Sequence, residues 1–328
     1  MPDRSATPHG QPPSPTTGRG SAPQRGSLRA RLLLLAGSLV LTLLAVEVGF
    51  RLYSHFTGAS FVEVFRDSEE TWKRSWIERH RDRDIETFFG SDAYHPKFGW
   101  KPRPNLRKAS FDGVAPVSTN ARGWRNLRDF AFAKPAGVKR MVVVGDSFTF
   151  GEQEEDEHIW PAVLQDTLPK WDVINLGVHG YGTDQQLLVL QEEGVRYRPD
   201  VVVVGFFVHN IYRNTLRFRD YAKPRFVLDA GQLVLTNVPV PTPREVLADG
   251  DSGRPLSYAW FWLSQRLHHP RGMSPREALH HEMGQLTRAI LAEMRATCQR
   301  CGAKMLVAII PNPPKPEPQI EQAVIEWG

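Results

Sequence analysis

The 328-residue chain carries 41 Lys and Arg against 36 Asp and Glu, a net charge of +5, and is long enough for one sizeable α/β core with additions. Most of the surplus charge sits at the extreme N-terminus, and no Lys/Arg stripe with interleaved aromatic residues follows it, which excludes a nucleic-acid-binding surface. The two cysteines, Cys298 and Cys301, form one Cys-x-x-Cys at the predicted end of a helix, where the dipole disfavours a thiolate; without nearby partner ligands they suggest neither a zinc site nor a redox pair, a local disulfide being the alternative.

Residues 1–30 are rich in Pro, Ser, Thr, Gly and Arg and contain too little apolar surface to offset the entropy of ordering, so a disordered tail is expected. Residues 32–50 are apolar or small apart from Glu47. Nineteen helical residues come close to the roughly 30 Å of a bilayer's hydrocarbon core. Eight leucines at about −0.5 kcal/mol each outweigh one carboxylate near the helix end, whose cost there is below the roughly 3 kcal/mol of mid-bilayer. Arg19, Arg25, Arg29 and Arg31 precede the segment, so the reading is a signal anchor over residues 31–52 with a cytoplasmic N-terminus and an exported remainder. A cleaved signal peptide is the rival, but Glu47 and Val48 interrupt a small-x-small cleavage pattern.

Residues 53–138 mix Arg, Asp and aromatic residues without sustained periodicity, and predict irregular structure with short strands. Residues 141–151, Met-Val-Val-Val-Gly-Asp-Ser-Phe-Thr-Phe-Gly, then read as a buried parallel strand that delivers Ser147 to its carboxyl end. Trp160, Val163, Leu164 and Leu168 keep helical spacing, which predicts a helix covering one face of the sheet. A second strand spans 171–176 and ends at Gly-Val-His-Gly-Tyr-Gly; a helix through Leu187 and Leu190 follows, and the apolar run 201–207 is a third strand ending at His209-Asn210. Residues 212–274 are too long for a simple connection and read as an insertion capping the active edge, with a hairpin around Gly231 and an aromatic cluster at 258–262. Leu279, Met283, Leu286 and Ile290 share a helical face, Gly302 ends that helix, and 305–310 is a fourth strand. Alternating strands and helices imply a parallel, doubly wound sheet within 139–328.

The three successive strand ends suit acyl transfer. A serine attacking an ester needs a base for its proton and donors for the oxyanion that develops. Ser147 is the candidate nucleophile; its own backbone N–H, that of Gly180 and the side-chain amide of Asn210 are the candidate oxyanion donors.

With Gly145-Asp-Ser147, an Asn-x-x-x-x-Gly pattern from Asn175 to Gly180, and a divergent third block at Val208-His-Asn-Ile211, the chain resembles the SGNH (GDSL-like) hydrolases, in particular membrane-anchored bacterial members. The resemblance covers residues 140–310 and implies a three-layer α/β/α, flavodoxin-like parallel sheet, with Ser147 as nucleophile, Gly180 and Asn210 as oxyanion donors, and Asp146 in a structural role. His209 stands where a glycine is commoner and Ile211 where an acid is commoner. The family's triad acid and base come from a C-terminal Asp-x-x-His, and no such motif lies downstream of Ser147. Asp92-Ala-Tyr-His95 fits the pattern but precedes the first strand of the sheet, and reads as coincidental. His179 and His209 read as pocket-lining residues with a remote claim to the base, and His158, beside the acidic run 152–157, as part of a solvated loop.

The chain stops at Gly328 within an element, so a longer natural protein carrying the missing block is expected, residues 1–328 alone being nearly inactive. The expected function is an exported, membrane-anchored serine ester hydrolase acting through a Ser147 acyl-enzyme on a small-molecule or polysaccharide ester, without metal or cofactor. Acyl transfer to a sugar hydroxyl is a variant of it. The alternatives are an inactive envelope-polysaccharide-binding or scaffold protein and a lipase-like esterase. Oligomeric state leaves no legible mark.

Overall fold

The computed structural model describes residues 28–57, 69–80, 91–111, 114–249, 257 and 275–311. The tail 1–27, the aromatic run 258–262 and everything after residue 311 lie outside the described residues. The chain divides into two compact units, residues 1–49 and 50–328.

Helix α1, Leu28–Thr57, contains a 22-residue stretch, Leu28–Gly49, of mean hydropathy 2.3. At about 1.5 Å per residue this stretch is long and apolar enough to cross a membrane, and a signal sequence shares those properties. Its leucines, Leu33 and Leu34 among them, are exposed.

In the second unit, helix α2 (Glu69–His80) and two antiparallel pairs, β1 (Asp92–His95) with β2 (Gly99–Pro102) and β3 (Ala109–Phe111) with β4 (Val114–Val117), precede the sheet. The sheet is parallel and four-stranded: β5 (Lys139–Val144), β6 (Trp171–Asn175), β7 (Val201–Phe207) and β10 (Lys304–Ile310), in the spatial order β10-β7-β5-β6. Taken in chain order the strands lie 2-1-3-4, the flavodoxin-like winding, and the order reverses around β5, whose carboxyl end is therefore the place where such folds hold their ligands.

The strands explain their own burial by period-two alternation. Met141, Val143, Val173 and Val203 point to one face, where Trp160, Leu164 and Leu168 of the α4 region (Trp160–Thr167) cover them. Val142, Val144, Ile174, Val202, Val204 and Phe206 point to the other, under α5 (Thr183–Glu192) and α8 (Pro275–Arg300). Val163 departs from the expected apolar stripe and is exposed, because its place in the turn from Trp160 to Leu164 lies off the sheet-facing side. Gly302, at φ 75°, follows α8 as expected.

The insertion after β7 begins with one helical turn, α6 (Asn210–Arg213), and continues through the hairpin β8 (Arg225–Asp229) and β9 (Gln232–Thr236) to α7 (Pro243–Asp249). Trp76 and Ile77 of α2 pack with Phe218, Ala222, Val240 and Val246 in a second, smaller core. Lys223, fully buried, donates to Asp184 at the start of α5 and to the carbonyls of Leu216 (3.1 Å) and Pro224 (3.0 Å), which ties the insertion to the helix layer. Cys298 and Cys301 are free thiols at the end of α8; Cys301 Sγ donates to the Cys298 carbonyl at 3.2 Å, and burial pushes the Cys298 thiol up to about 12.

Candidate active site

Ser147 opens a single helical turn, α3 (Ser147–Phe150), directly after β5. Asp146 caps that turn, its Oδ1 accepting the Phe148 N–H at 3.1 Å, and is itself fully buried. Burial raises the Asp146 carboxyl to about 6, against the opposing charge of Arg213, the Phe148 N–H and the Asn210 amide. Asp146 thus has the structural role implied by the resemblance.

The turn is locked from below by close packing. Thr149 is wedged among three strand-end glycines: a Cβ on Gly145 or Gly205 would overlap Thr149 Oγ1, and one on Gly177 would meet Thr149 Cγ2 at 2.7 Å and the Phe150 nitrogen at 2.9 Å. Only residues without a Cβ let the backbone of three strands approach the helical turn this closely. Asn175, at the end of β6, donates from Nδ2 to the Thr149 carbonyl at 3.1 Å and accepts the Gly177 N–H at 2.9 Å.

Arg125 clamps the far end of the turn. Its guanidinium donates to the carbonyls of Phe150 (3.0 Å), Gly151 (2.5 Å) and Glu154 (2.7 Å) and pairs with buried Asp156. This corrects one expectation: the acidic run 152–157 is not wholly solvated, because Asp156 turns inward to neutralise a buried cation. His158 is exposed, as expected.

Gly180 follows β6 in a left-handed conformation (φ 74°) that favours glycine, and a Cβ there would overlap the Asp220 carboxylate and lie 3.2 Å from the Trp100 ring. Asn210, at the start of α6 after β7, is fully buried; its Oδ1 accepts from Arg213, and its Nδ2 has no hydrogen-bond partner among the described residues. The Asn210 amide nevertheless lies near enough to Asp146 to help hold that carboxyl ionised. The three candidate residues thus follow three adjacent strands, and the Val178 N–H bonded to the Gly145 carbonyl at 3.1 Å joins the first two segments directly.

The Asp92-Ala-Tyr-His95 spacing is coincidental, and the partner of Asp92 lies elsewhere: Asp92 Oδ2 lies 2.6 Å from His179 Nε2, while His95 Nδ1 accepts the N–H groups of Lys97 and Phe98 in its own turn. His179 Nδ1 faces Glu152 at 3.7 Å. Burial alone would lower the His179 pKa, but the Asp92 charge and hydrogen bond, with Asp220 and Glu152 beyond, outweigh it and raise the value to about 9. Both ring nitrogens of His179 thus face carboxylates, a setting that favours its protonated form. Its backbone carbonyl, beside Gly180, is held by the Trp100 indole at 3.1 Å. His209 is exposed and stacks on Phe207, with ring centroids 4.9 Å apart.

A cavity of about 310 Å³ lined by Asn126, Arg128, Pro161, Gln165 and Val173 lies against β6, and none of Ser147, Gly180 and Asn210 lines it. Arg125 and Arg213 were also missed. Arg125 directly follows the turn-forming Asn120-Ala-Arg-Gly-Trp124, whereas nothing local marks Arg213.

A search of curated proteins gave no match. Among solved structures the chain is similar to TesA, with 18% identity over 58% of this chain and 70% of that one and a TM-score of 0.32. It is also similar to a GDSL-like lipase from Bacteroides thetaiotaomicron VPI-5482, with 13% identity, coverage of 60% and 65% and a TM-score of 0.31. For AlinE4, an SGNH-hydrolase family esterase, the corresponding values are 16%, 53%, 77% and 0.23. The sequence model of the GDSL-like Lipase/Acylhydrolase family matches residues 143–327, more than half of the chain and all three strand ends bearing Ser147, Gly180 and Asn210, and the chain belongs to that family.

Proposed function

We propose that the protein is a serine ester hydrolase that works through an acyl-enzyme on Ser147. The observation that carries this reading is the buried Asn210 amide, which follows the strand next to the one that delivers Ser147 and keeps an Nδ2 hydrogen with no acceptor among the described residues. An unsatisfied donor in a low-dielectric interior costs about 1–3 kcal/mol, and an oxyanion that forms only during reaction is a partner that repays the cost in the transition state.

In this reading Ser147 Oγ attacks the ester carbonyl carbon as a base removes its proton. The tetrahedral oxyanion is held by the N–H groups of Ser147 and Gly180 and the amide of Asn210. Collapse expels the alcohol and leaves the acyl group on Ser147, and water then releases the acid; a sugar hydroxyl in place of water makes the enzyme a transferase. Both ring nitrogens of His179 are turned to carboxylates, Asp92 and Glu152, which does not favour it as the base. No Asp-x-x-His block of the family's kind occurs after Ser147 within residues 1–328. The apolar helix over residues 32–50 holds the enzyme at the outer face of the cytoplasmic membrane, with the N-terminal arginines inside, and the substrates are small or polysaccharide-borne acyl esters of the envelope.

The test is hydrolysis of p-nitrophenyl acetate by the protein translated from its full reading frame, with Ser147→Ala beside it. A drop of at least about 10³-fold in kcat is expected for the variant. Equal rates would remove Ser147 from the mechanism. Complete inactivity of the wild type on acyl esters of every chain length would favour the binding or scaffold reading, which rests on the lack of an Asp-x-x-His block after Ser147 within residues 1–328 and on His209 and Ile211 in the third block.

A further inference from the structure

Resting on that reading, we infer that Arg213 is a positioning residue for the oxyanion donor: it fixes which end of the Asn210 amide faces the reacting carbonyl.

Arg213 closes the α6 turn that Asn210 opens, so the two side chains lie on the same helical face. From one nitrogen, Nη1, it donates to Asn210 Oδ1 at 3.1 Å, to Asp146 Oδ2 at 3.2 Å and to the Tyr181 carbonyl at 3.3 Å. These acceptors belong to segments following three different strands, the same three that bear Ser147, Gly180 and Asn210. A side-chain amide is nearly symmetric in shape and can sit in either of two flips. With a cation against one arm, only the flip that presents the oxygen there is tolerated; the other would press an NH2 group against a guanidinium, donor to donor, in a site where water cannot compensate.

The arrangement therefore commits Nδ2 to the opposite side. That nitrogen carries two hydrogens, so its proximity to the Asp146 carboxylate leaves one N–H for an oxyanion. Arg213 also bonds directly to both the capping residue of the nucleophile turn and the donor, Asp146 and Asn210. Ile211, the residue next to Asn210, turns into the hydrophobic core and offers no polar support. The restraint on the amide comes from one turn further along the helix instead.

The experiment is a double-mutant cycle on the full-length protein, comparing Arg213→Gln, Asn210→Ala and the pair, with thermal unfolding followed for each. Arg213→Gln is expected to lower kcat by about 10–100-fold with KM within about threefold of wild type, Asn210→Ala by about 10²–10³-fold, and the pair no further than Asn210→Ala alone. Fully multiplicative losses, or an unchanged kcat in Arg213→Gln, would overturn the assignment. Should Arg213→Gln fail to fold, Arg213→Lys keeps the charge beside Asp146 on a stem one atom shorter than the path to Nη1, which draws the donor back from Asn210 Oδ1; an expected kcat loss of about tenfold at wild-type thermal stability supports the role, and wild-type kcat refutes it. Ser147→Ala separates the two levels of the argument. If it too retains full activity, the hydrolase reading has failed; if it is dead while the Arg213 and Asn210 effects multiply, only the positioning role has.

Discussion

Asp92 and His179 make a 2.6 Å ion pair across 87 residues of sequence, joining a strand that precedes the sheet to the loop that presents Gly180. The Tyr181 hydroxyl donates to the Trp100 carbonyl beside it, and the Trp100 and Tyr181 rings meet edge to face at 5.1 Å. The segment before the sheet is thereby part of the wall of the site, and the second strand end is held by groups that no hydrolase motif includes.

This pair predicts a pH dependence of stability. His179 is raised from 6.5 to about 9, so the folded state binds its proton more tightly than the unfolded chain does. Its contribution, roughly 3 kcal/mol for a difference of this size, is complete below pH 6.5 and fades as the pH rises through 9. Asp92→Asn should lose most of that contribution at pH 6 and show a flatter profile. Urea unfolding midpoints from pH 6 to 10 provide the check, and parallel profiles for the two proteins would count against it.

Asp146 shifts stability in the same direction with pH, in a lower window and for a different reason. Its carboxyl is raised from 3.8 to about 6, so burying the charged form opposes folding above that pH by an amount on the order of 3 kcal/mol, and stability falls as the pH rises between these values. The ionised form is the one that pairs with Arg213. If the proposed mechanism holds, kcat/KM should rise through an acid limb near pH 6. Asp146→Asn should remove both the stability slope and the limb, and a rate profile identical to wild type would show that this carboxylate does not gate the site.

The glycine cradle predicts which substitutions can be rescued. Gly205→Ala overlaps Thr149 Oγ1, with the next atoms 3.6 Å away, so it should cost about 1–3 kcal/mol alone and much less in a Thr149→Ala background. Gly177→Ala meets the Phe150 backbone nitrogen at 2.9 Å and should not be rescued by the same change. Thermal unfolding of the four variants distinguishes these outcomes; equal rescue at both glycines would contradict the packing described.

Lys223 and Asp184 are both fully buried and bonded to each other, burial pushing the lysine's pKa down and the aspartate's up. Removing one partner leaves a charge unpaired, so Lys223→Met should destabilise by about 3–5 kcal/mol, whereas Lys223→Met with Asp184→Leu should cost clearly less. Additive losses in denaturant unfolding would show that the two groups act independently.

The elements were legible because their signals are local. The apolar run 201–207 is β7 residue for residue, and the pattern around Gly231 is the β8–β9 hairpin. In each case an interval of two residues, or a turn glycine, records the structure within a few positions of itself. The same holds for Ser147, Gly180 and Asn210, which stand out because strand ends are readable and their chemistry is distinctive. The partner of Asp92 was not legible for the converse reason: His179 lies 87 residues away in sequence, and no local pattern links the two. Arg125, held by four acceptors around the nucleophile turn, and Arg213, held by three, left no such trace.

The sequence by itself showed the strands and helices of a parallel, doubly wound sheet and nominated Ser147, Gly180 and Asn210, since these follow from short-range periodicity and from which residues terminate a buried strand. Only the tertiary structure decided which charges face one another around them: Asp92 and Glu152 on His179, Asp156 on Arg125, and Asp146 with Asn210 on Arg213. Buried charges must find partners wherever the chain brings them together, and that choice depends on contacts between loops distant in sequence, which carry no period to read.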